Sequence, residues 1–191
     1  MNIGALILAG GKSRRMNGNN KAFLKFQNKS FIESIADRFA GFDNIYISVD
    51  EKEKYKHLSF TLIEDMYKDI GPIGGIYSAL KSIEEKYIFV TACDMPKINR
   101  EFINFVCDSL TEDIECIVTQ DIKGRIYPLG GIYSKALLGK IEEMIKEEDY
   151  KLLNLIKRSN TKIISLSENN FSESILDNIN DINDYNKLKV L

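Results

Sequence analysis

The segment from Lys86 to Asp94, KYIFVTACD, constrains this chain more than any other. It is apolar at nearly every position, and it stops on an acid. A strand with only one buried face alternates apolar and polar residues. A near-continuous apolar run requires cover on both faces, which is the condition of a central strand in a parallel sheet. The flanking sequence agrees. GALILA (4–9), NIYISV (44–49), TLIED (61–65) and ECIVTQ (115–120) read as further strands. Between them lie segments of helical period. SFIESIADRF (30–39) opens with Ser30 and Glu33 at capping-box spacing, a helix from 73 to 85 enters through GPIGG, and Asn99 stands as N-cap of EFINFVCDSL.

Strand and helix alternating in this way predict an α/β fold: a single-domain, Rossmann-like, mostly parallel mixed sheet with helices on both faces. The second half alternates less cleanly, so the mixed part is expected at an edge. GRIYPLGGIYS (124–134) reads as an irregular strand with a glycine bend, KALLGKIEEMIKEE (135–148) as an amphipathic helix, and YKLLNLIKRS as a short helix followed by the strand KIISLS. Residues 167–181 read as a polar surface loop and INDYNKLKVL as a final short helix. The 191 residues suffice for one sizeable core. One domain, 1–191, is expected.

Net charge is −2, which argues against a general nucleic-acid binder. No run approaches the ~20 apolar residues of a membrane span. The N-terminal apolar run has basic residues after it instead of before it, unlike a signal peptide, and a cytoplasmic protein is expected. Cys93, Cys107 and Cys116 are far apart and His57 is the only histidine, so a Cys/His zinc site is not expected and the thiols read as buried and reduced.

Chemistry-bearing residues gather where strands end. LAGGKSRRM (8–16) follows the first strand, with Lys21 beyond it. Paired glycines let backbone approach a ligand, and free N–H groups can cradle phosphate. The pattern is neither a P-loop nor a dinucleotide fingerprint. By itself the stretch reads equally as a phosphate-holding loop or as a turn with a solvated rim. Asp65 ends another strand just before Gly71, Pro72, Gly74 and Gly75. Asp94 ends the central strand; beside a triphosphate it would suit Mg²⁺, which takes one or two carboxylates plus phosphates and waters. Asn178 and Asn180, two apart, share a side if extended, and Asp181 can cap the last helix. No Ser-His-Asp or Cys-His arrangement is visible, and His57 sits in a charged stretch.

LAGGKSRRM with Lys21, an Asp before GPIGG, CDMP (93–96) and the late NIND (178–181) resemble the molybdenum cofactor guanylyltransferases of the MobA type, from Leu8 to about Tyr185. The resemblance implies an Mg²⁺-dependent nucleotidyltransferase that joins GMP from GTP onto molybdenum-molybdopterin and releases pyrophosphate. It places the nucleotide on Leu8, Ala9, Gly10, Gly11, Lys21, Asp65 and Asp94, with Mg²⁺ on Asp94. Arg15, Lys21 and Asp94 become the catalytic set. Asp50 stands where the family often has Asn, and Asn178 and Asn180 fall on the acceptor side. The family's M-G-G-x-D-K is here Met16-Asn17-Gly18-Asn19-Asn20-Lys21. GTP and molybdenum-molybdopterin are the implied partners, with cofactor-delivery or molybdoenzyme-maturation proteins as further candidates. A cytidylyltransferase acting on molybdopterin or another phosphorylated small molecule, and a non-catalytic nucleotide-binding module, are the competing readings.

Overall fold

The computed structural model describes residues 2–10, 21–26 and 28–188. In chain order the elements are β1 (Ile3–Leu8), β2 (Lys25–Phe26), β3 (Lys29–Ser30), α1 (Phe31–Ala36), β4 (Ile45–Val49) and β5 (Thr61–Glu64), then α2 (Pro72–Ser82), β6 (Tyr87–Ala92), α3 (Arg100–Asp108), β7 (Cys116–Gln120) and β8 (Ile126–Ser134). The chain continues through α4 (Leu138–Lys146), α5 (Leu152–Lys157), β9 (Thr161–Ser165) and α6 (Ile182–Leu188). Seven strands form one sheet in the order β5-β4-β1-β6-β8-β7-β9.

The apolar run predicted to be central is central: β6 is the fourth of seven strands, and Tyr87 to Thr91 are buried. Alternation along each strand divides the core in two. Ala5, Ile7, Ile47, Phe89 and Ile117 face the layer that holds α1 and α3. Leu6, Leu8, Ile88, Val90 and Val118 face the layer of α2, α4 and α5. Two-sided burial of this kind is why the strands read as unbroken apolar runs instead of half-polar ones.

β1 pairs in parallel with β4 on one side and β6 on the other. From β1 the chain winds outward through β4 to β5, with α1 on one face. It then crosses back through α2 on the other face to place β6 on the far side of β1. The carboxyl ends of β1 and β6 therefore open a crevice, the place where open α/β sheets bind ligands.

Local expectations hold at the caps. The Ser30–Glu33 capping box is formed in full, and Asn99 accepts a hydrogen bond from Phe102 N at 2.9 Å. Asp181 Oδ1 accepts from the N–H groups of Asn183 and Asp184 and so caps α6. Five expectations need correction. The mixed strand is not at an edge: β8 runs antiparallel between β6 and β7. A tight turn at Asp121–Gly124, with Gly124 at φ +77°, sends β8 straight back along β7. The segment 167–181 is more than a surface loop, since it buries Ile175, Leu176 and Ile179. The helix expected over 30–39 keeps α geometry only to Ala36 and tightens to a 3₁₀ turn over Asp37–Phe39, while the one expected over 73–85 runs from Pro72 and ends at Ser82, where Ile83 turns extended. All three cysteines are free, but Cys107 is only half-buried.

Candidate functional site

Four strands build the cleft, with Ser48 coming from β4. β1 delivers Leu8, Ala9 and Gly10; β5 delivers Asp65; β6 delivers Cys93 and Asp94. Lys21, in a 3₁₀ turn, and Asn178 close it from opposite ends of the chain, around a cavity of about 320 Å³. The crossing of β1 and β6 is stitched by a bond from Cys93 N to Leu8 O at 3.0 Å. Gly11, Lys12, Arg14 and Arg15, also expected here, lie outside the described residues.

The glycine pair serves close approach at Gly10. A Cβ there would stand 3.1 Å from Asp50 N and 3.3 Å from Asp65 Oδ2, so a side chain would crowd the base of the cleft. Free N–H groups in the LAGGKSRRM stretch could cradle phosphate, but those of Ala9 and Gly10 are not free. They donate to Ser48 O, at 2.9 and 3.1 Å. The GPIGG glycines are also not all turn residues. Gly71 alone has positive φ, at +76°. Gly74 and Gly75 sit in the first turn of α2, where a Cβ on Gly75 would fall 2.4 Å from Ser48 Oγ and 2.8 Å from Leu8 Cδ2. Gly75 lets the helix lie against the sheet, while Gly74 lets it lie against the preceding segment, where a Cβ would fall 2.8 Å from Tyr67 O.

Lys21 and Asp94 meet although they are 73 residues apart: Lys21 Nζ is 3.1 Å from Asp94 Oδ2, with both side chains more than four-fifths buried. Lys21 Nζ also donates to Ile179 O at 2.8 Å, and Ile179 N donates to Asp94 O at 2.8 Å. The backbone of the NIND segment is thus bonded to both. Asp94 Oδ1 is buried and accepts no hydrogen bond from the described residues. A buried carboxylate oxygen left in that state is costly, and a cation satisfies it. The residues fit Mg²⁺ in the mode expected of it, one carboxylate completed by substrate phosphates and water. Among the described residues, no group of three His, Cys, Asp or Glu forms a protein cage for a metal.

Asp65 is held by Ser48 Oγ, which donates to its Oδ1 at 2.7 Å. Burial pushes its carboxyl above the usual range, and the Ser48 bond opposes this. Asp50 points its Oδ2 to Lys54 Nζ at 2.6 Å and lines a second cavity of about 400 Å³ with Gly10, Asp65 and Gly71. On the opposite side a third cavity, of about 580 Å³, shares Leu129 and Asn178 with the cleft and takes in Asn180, Lys97, Arg125 and Tyr127. The arrangement is a row of three spaces with Lys21 and Asp94 at the middle one. The sequence reading missed Ser48, Tyr55 and Ile179. Tyr55 is fully buried and donates to Ala9 O at 2.9 Å, fixing the end of β1 from behind. Each acts across the fold: Ser48 and Tyr55 sit in no motif, and Ile179 acts through its backbone inside NIND.

Burial pushes the Cys93 thiol in the cleft wall up to about 12, with Asp94 adding to the effect, so it is not a nucleophile at neutral pH. His57 is exposed and stacks against Phe23 with ring centroids 5.0 Å apart. No helix among the described residues is long and apolar enough to cross a membrane.

Residues 5–163 match the family described as the MobA-like NTP transferase domain. A Clostridium perfringens protein named "probable molybdenum cofactor guanylyltransferase" is 37% identical over 160 residues, covering 84% of this chain and 80% of that protein. A molybdenum cofactor guanylyltransferase of Syntrophotalea carbinolica is 33% identical over 162 residues, 84% of this chain and 77% of its own. The crystal structure of the molybdopterin-guanine dinucleotide biosynthesis protein A of Archaeoglobus fulgidus shares the fold at TM-score 0.83 and 21% identity, over 97% of this chain and 96% of that one. With a family match over most of its length and relatives well above 30% identity, this chain belongs to the MobA-like NTP transferase family.

Proposed function

We propose that this nucleotidyltransferase transfers GMP from GTP to the phosphate of molybdenum-molybdopterin and releases pyrophosphate. The observation that carries the reading is the Lys21–Asp94 pair between two further cavities, with one Asp94 oxygen buried and unsatisfied. A transferase that joins two phosphorylated molecules needs a cationic centre with room on either side. In this reading the nucleoside lies on Leu8 to Gly11 toward Asp65 and Asp50, and the acceptor lies toward Asn178 and Asn180.

The attacking oxygen belongs to an acceptor phosphate, which is already ionised at neutral pH. No protein base is required, consistent with the absence of histidine from the cleft. The barrier is the approach of two anions, and catalysis rests on positioning and charge. Mg²⁺ held by Asp94 would supply charge to the phosphates. Lys21 leaves its present contacts for a phosphate oxygen, and Arg15 adds charge from the glycine-rich loop. A cytoplasmic setting, where thiols stay reduced, suits the three free cysteines.

The test is pyrophosphate release with Mg²⁺ and molybdenum-molybdopterin, offering GTP, CTP and ATP in turn. Release with GTP is expected. Preference for CTP would replace the guanylyl assignment, and nucleotide binding without transfer to any acceptor would make the protein a binding module.

A further inference from the structure

Ser48 lies near the end of β4 and is 1% exposed, yet it reaches the wall of the cleft. Its hydroxyl has one proton, and the carboxylate of Asp65 can only accept, so the 2.7 Å contact fixes the donor as Ser48. The hydroxyl is enclosed as well as bonded, since the Cα of Gly75 and a methyl group of Leu8 crowd the same space. The Asp65 backbone is tied in turn, its N–H donating to Val49 O at 3.0 Å. With Oδ1 occupied, Oδ2 is the oxygen left over Gly10. Both Gly10 and Asp65 line the central cleft and the cavity beyond it, so Oδ2 stands at the boundary of the two.

We infer that Ser48 is a positioning residue of the nucleotide cleft: its hydroxyl fixes the Asp65 carboxylate in the orientation that presents Oδ2, beside Gly10, to a hydrogen-bond donor of the bound nucleoside. The inference rests on the nucleotidyl-transfer reading. It adds that Asp65 is prepared before the nucleotide arrives, so no binding energy is spent on turning it. Ser48 also acts on its charge. Burial raises the carboxyl and the Ser48 bond lowers it; Asp50 and Glu64 raise it further, and Lys68 lowers it. The first turn of α2, packed on the same side, brings no acidic residue. Losing the Ser48 hydroxyl therefore moves the protonation of Asp65 to higher pH.

The test is calorimetric titration of Mg²⁺·GTP into wild type, Ser48→Ala, Asp65→Asn and the double variant, across a pH series from neutral into the acid range. Wild type binding GTP comes first; a folded wild type that binds none overturns the nucleotidyl reading and this inference with it. Given binding, Ser48→Ala is expected to weaken GTP about tenfold, the scale of a lost hydrogen bond to a charged group. Its affinity should also fail at higher pH than that of wild type. Adding Ser48→Ala to Asp65→Asn should cost little more than Asp65→Asn alone, because the two residues act as one unit. A merely structural serine would lower the unfolding temperature without moving the acid limb. Wild-type affinity with an unmoved acid limb in Ser48→Ala, or fully additive losses, would overturn the inference. Ser48→Gly, which removes the same hydroxyl, repeats the measurement should Ser48→Ala fold poorly.

Discussion

Lys21 Nζ lies 3.1 Å from Asp94 Oδ2, joining the start of the chain to the end of its central strand. Ile179 brackets the pair with its own backbone, its carbonyl on Lys21 and its N–H on the Asp94 carbonyl. The 3₁₀ turn of Lys21, the end of β6 and the NIND segment are therefore connected at one point, and most of what can be tested about this protein turns on it.

Asp94→Ala should reduce Mg²⁺-dependent pyrophosphate release by roughly 10²–10³-fold or more, the loss typical of one well-placed electrostatic group. Its thermal unfolding should remain close to wild type, because the lost ion pair with Lys21 is offset by removing a buried carboxylate oxygen that no described residue satisfies. Full activity in the variant would refute the metal role.

Lys21→Ala should weaken binding of GTP more than that of GMP, because in the proposed function the lost charge faces the phosphates. Equilibrium dialysis with the two nucleotides measures the difference. Equal affinity for GTP in variant and wild type would count against the phosphate contact.

Tyr55→Phe keeps the ring in the core and removes the bond to Ala9 O. The carbonyl loses a buried partner, at a cost of about 1–3 kcal/mol. Urea denaturation should show that loss, and the KM for GTP should rise several-fold as the end of β1 loosens. A change in stability with no change in KM would confine Tyr55 to the core.

Two helical glycines should respond in opposite directions. Gly75→Ala puts a methyl group 2.4 Å from Ser48 Oγ and 2.8 Å from Leu8 Cδ2, and overpacking of this kind costs about 1–3 kcal/mol. Gly139, near the start of α4, is exposed and has nothing within 4 Å of an added Cβ, so Gly139→Ala should stabilise by about 0.5 kcal/mol. Denaturation midpoints of the two variants, one below wild type and one above, check both.

Glu85 is a buried acid outside the cleft, before β6. Burial pushes its carboxyl up, but hydrogen bonds from its own backbone, from Asn44 and from Tyr46 outweigh that and hold it below the usual value. A depressed carboxyl stabilises the fold above its unfolded value, about 4.3, and that stability disappears as pH falls through the lower folded value. The advantage of wild type over Glu85→Gln in urea should be present at pH 7 and shrink below about pH 4. An advantage that does not change with pH would show that the ionised carboxylate is not what matters.

The sequence by itself determined the strands, the caps and several residues of the cleft. KYIFVTACD could only be a doubly covered strand, and Ser30, Asn99 and Asp181 could cap locally because capping is settled within three or four residues. LAGG, Asp65 and Asp94 were legible because they fall where apolar runs stop. What only the tertiary structure decided is how these pieces face one another. The reversal of β8 depends on where its hairpin inserts, and periodicity carries no direction. The bonds of Ser48 to Asp65, of Tyr55 to Ala9 and of Ile179 to Lys21 join positions far apart in the chain, through side chains that local sequence does not orient. A cleft made from the ends of four strands exists only once the sheet order is set, and sheet order is chosen by the packing of whole layers.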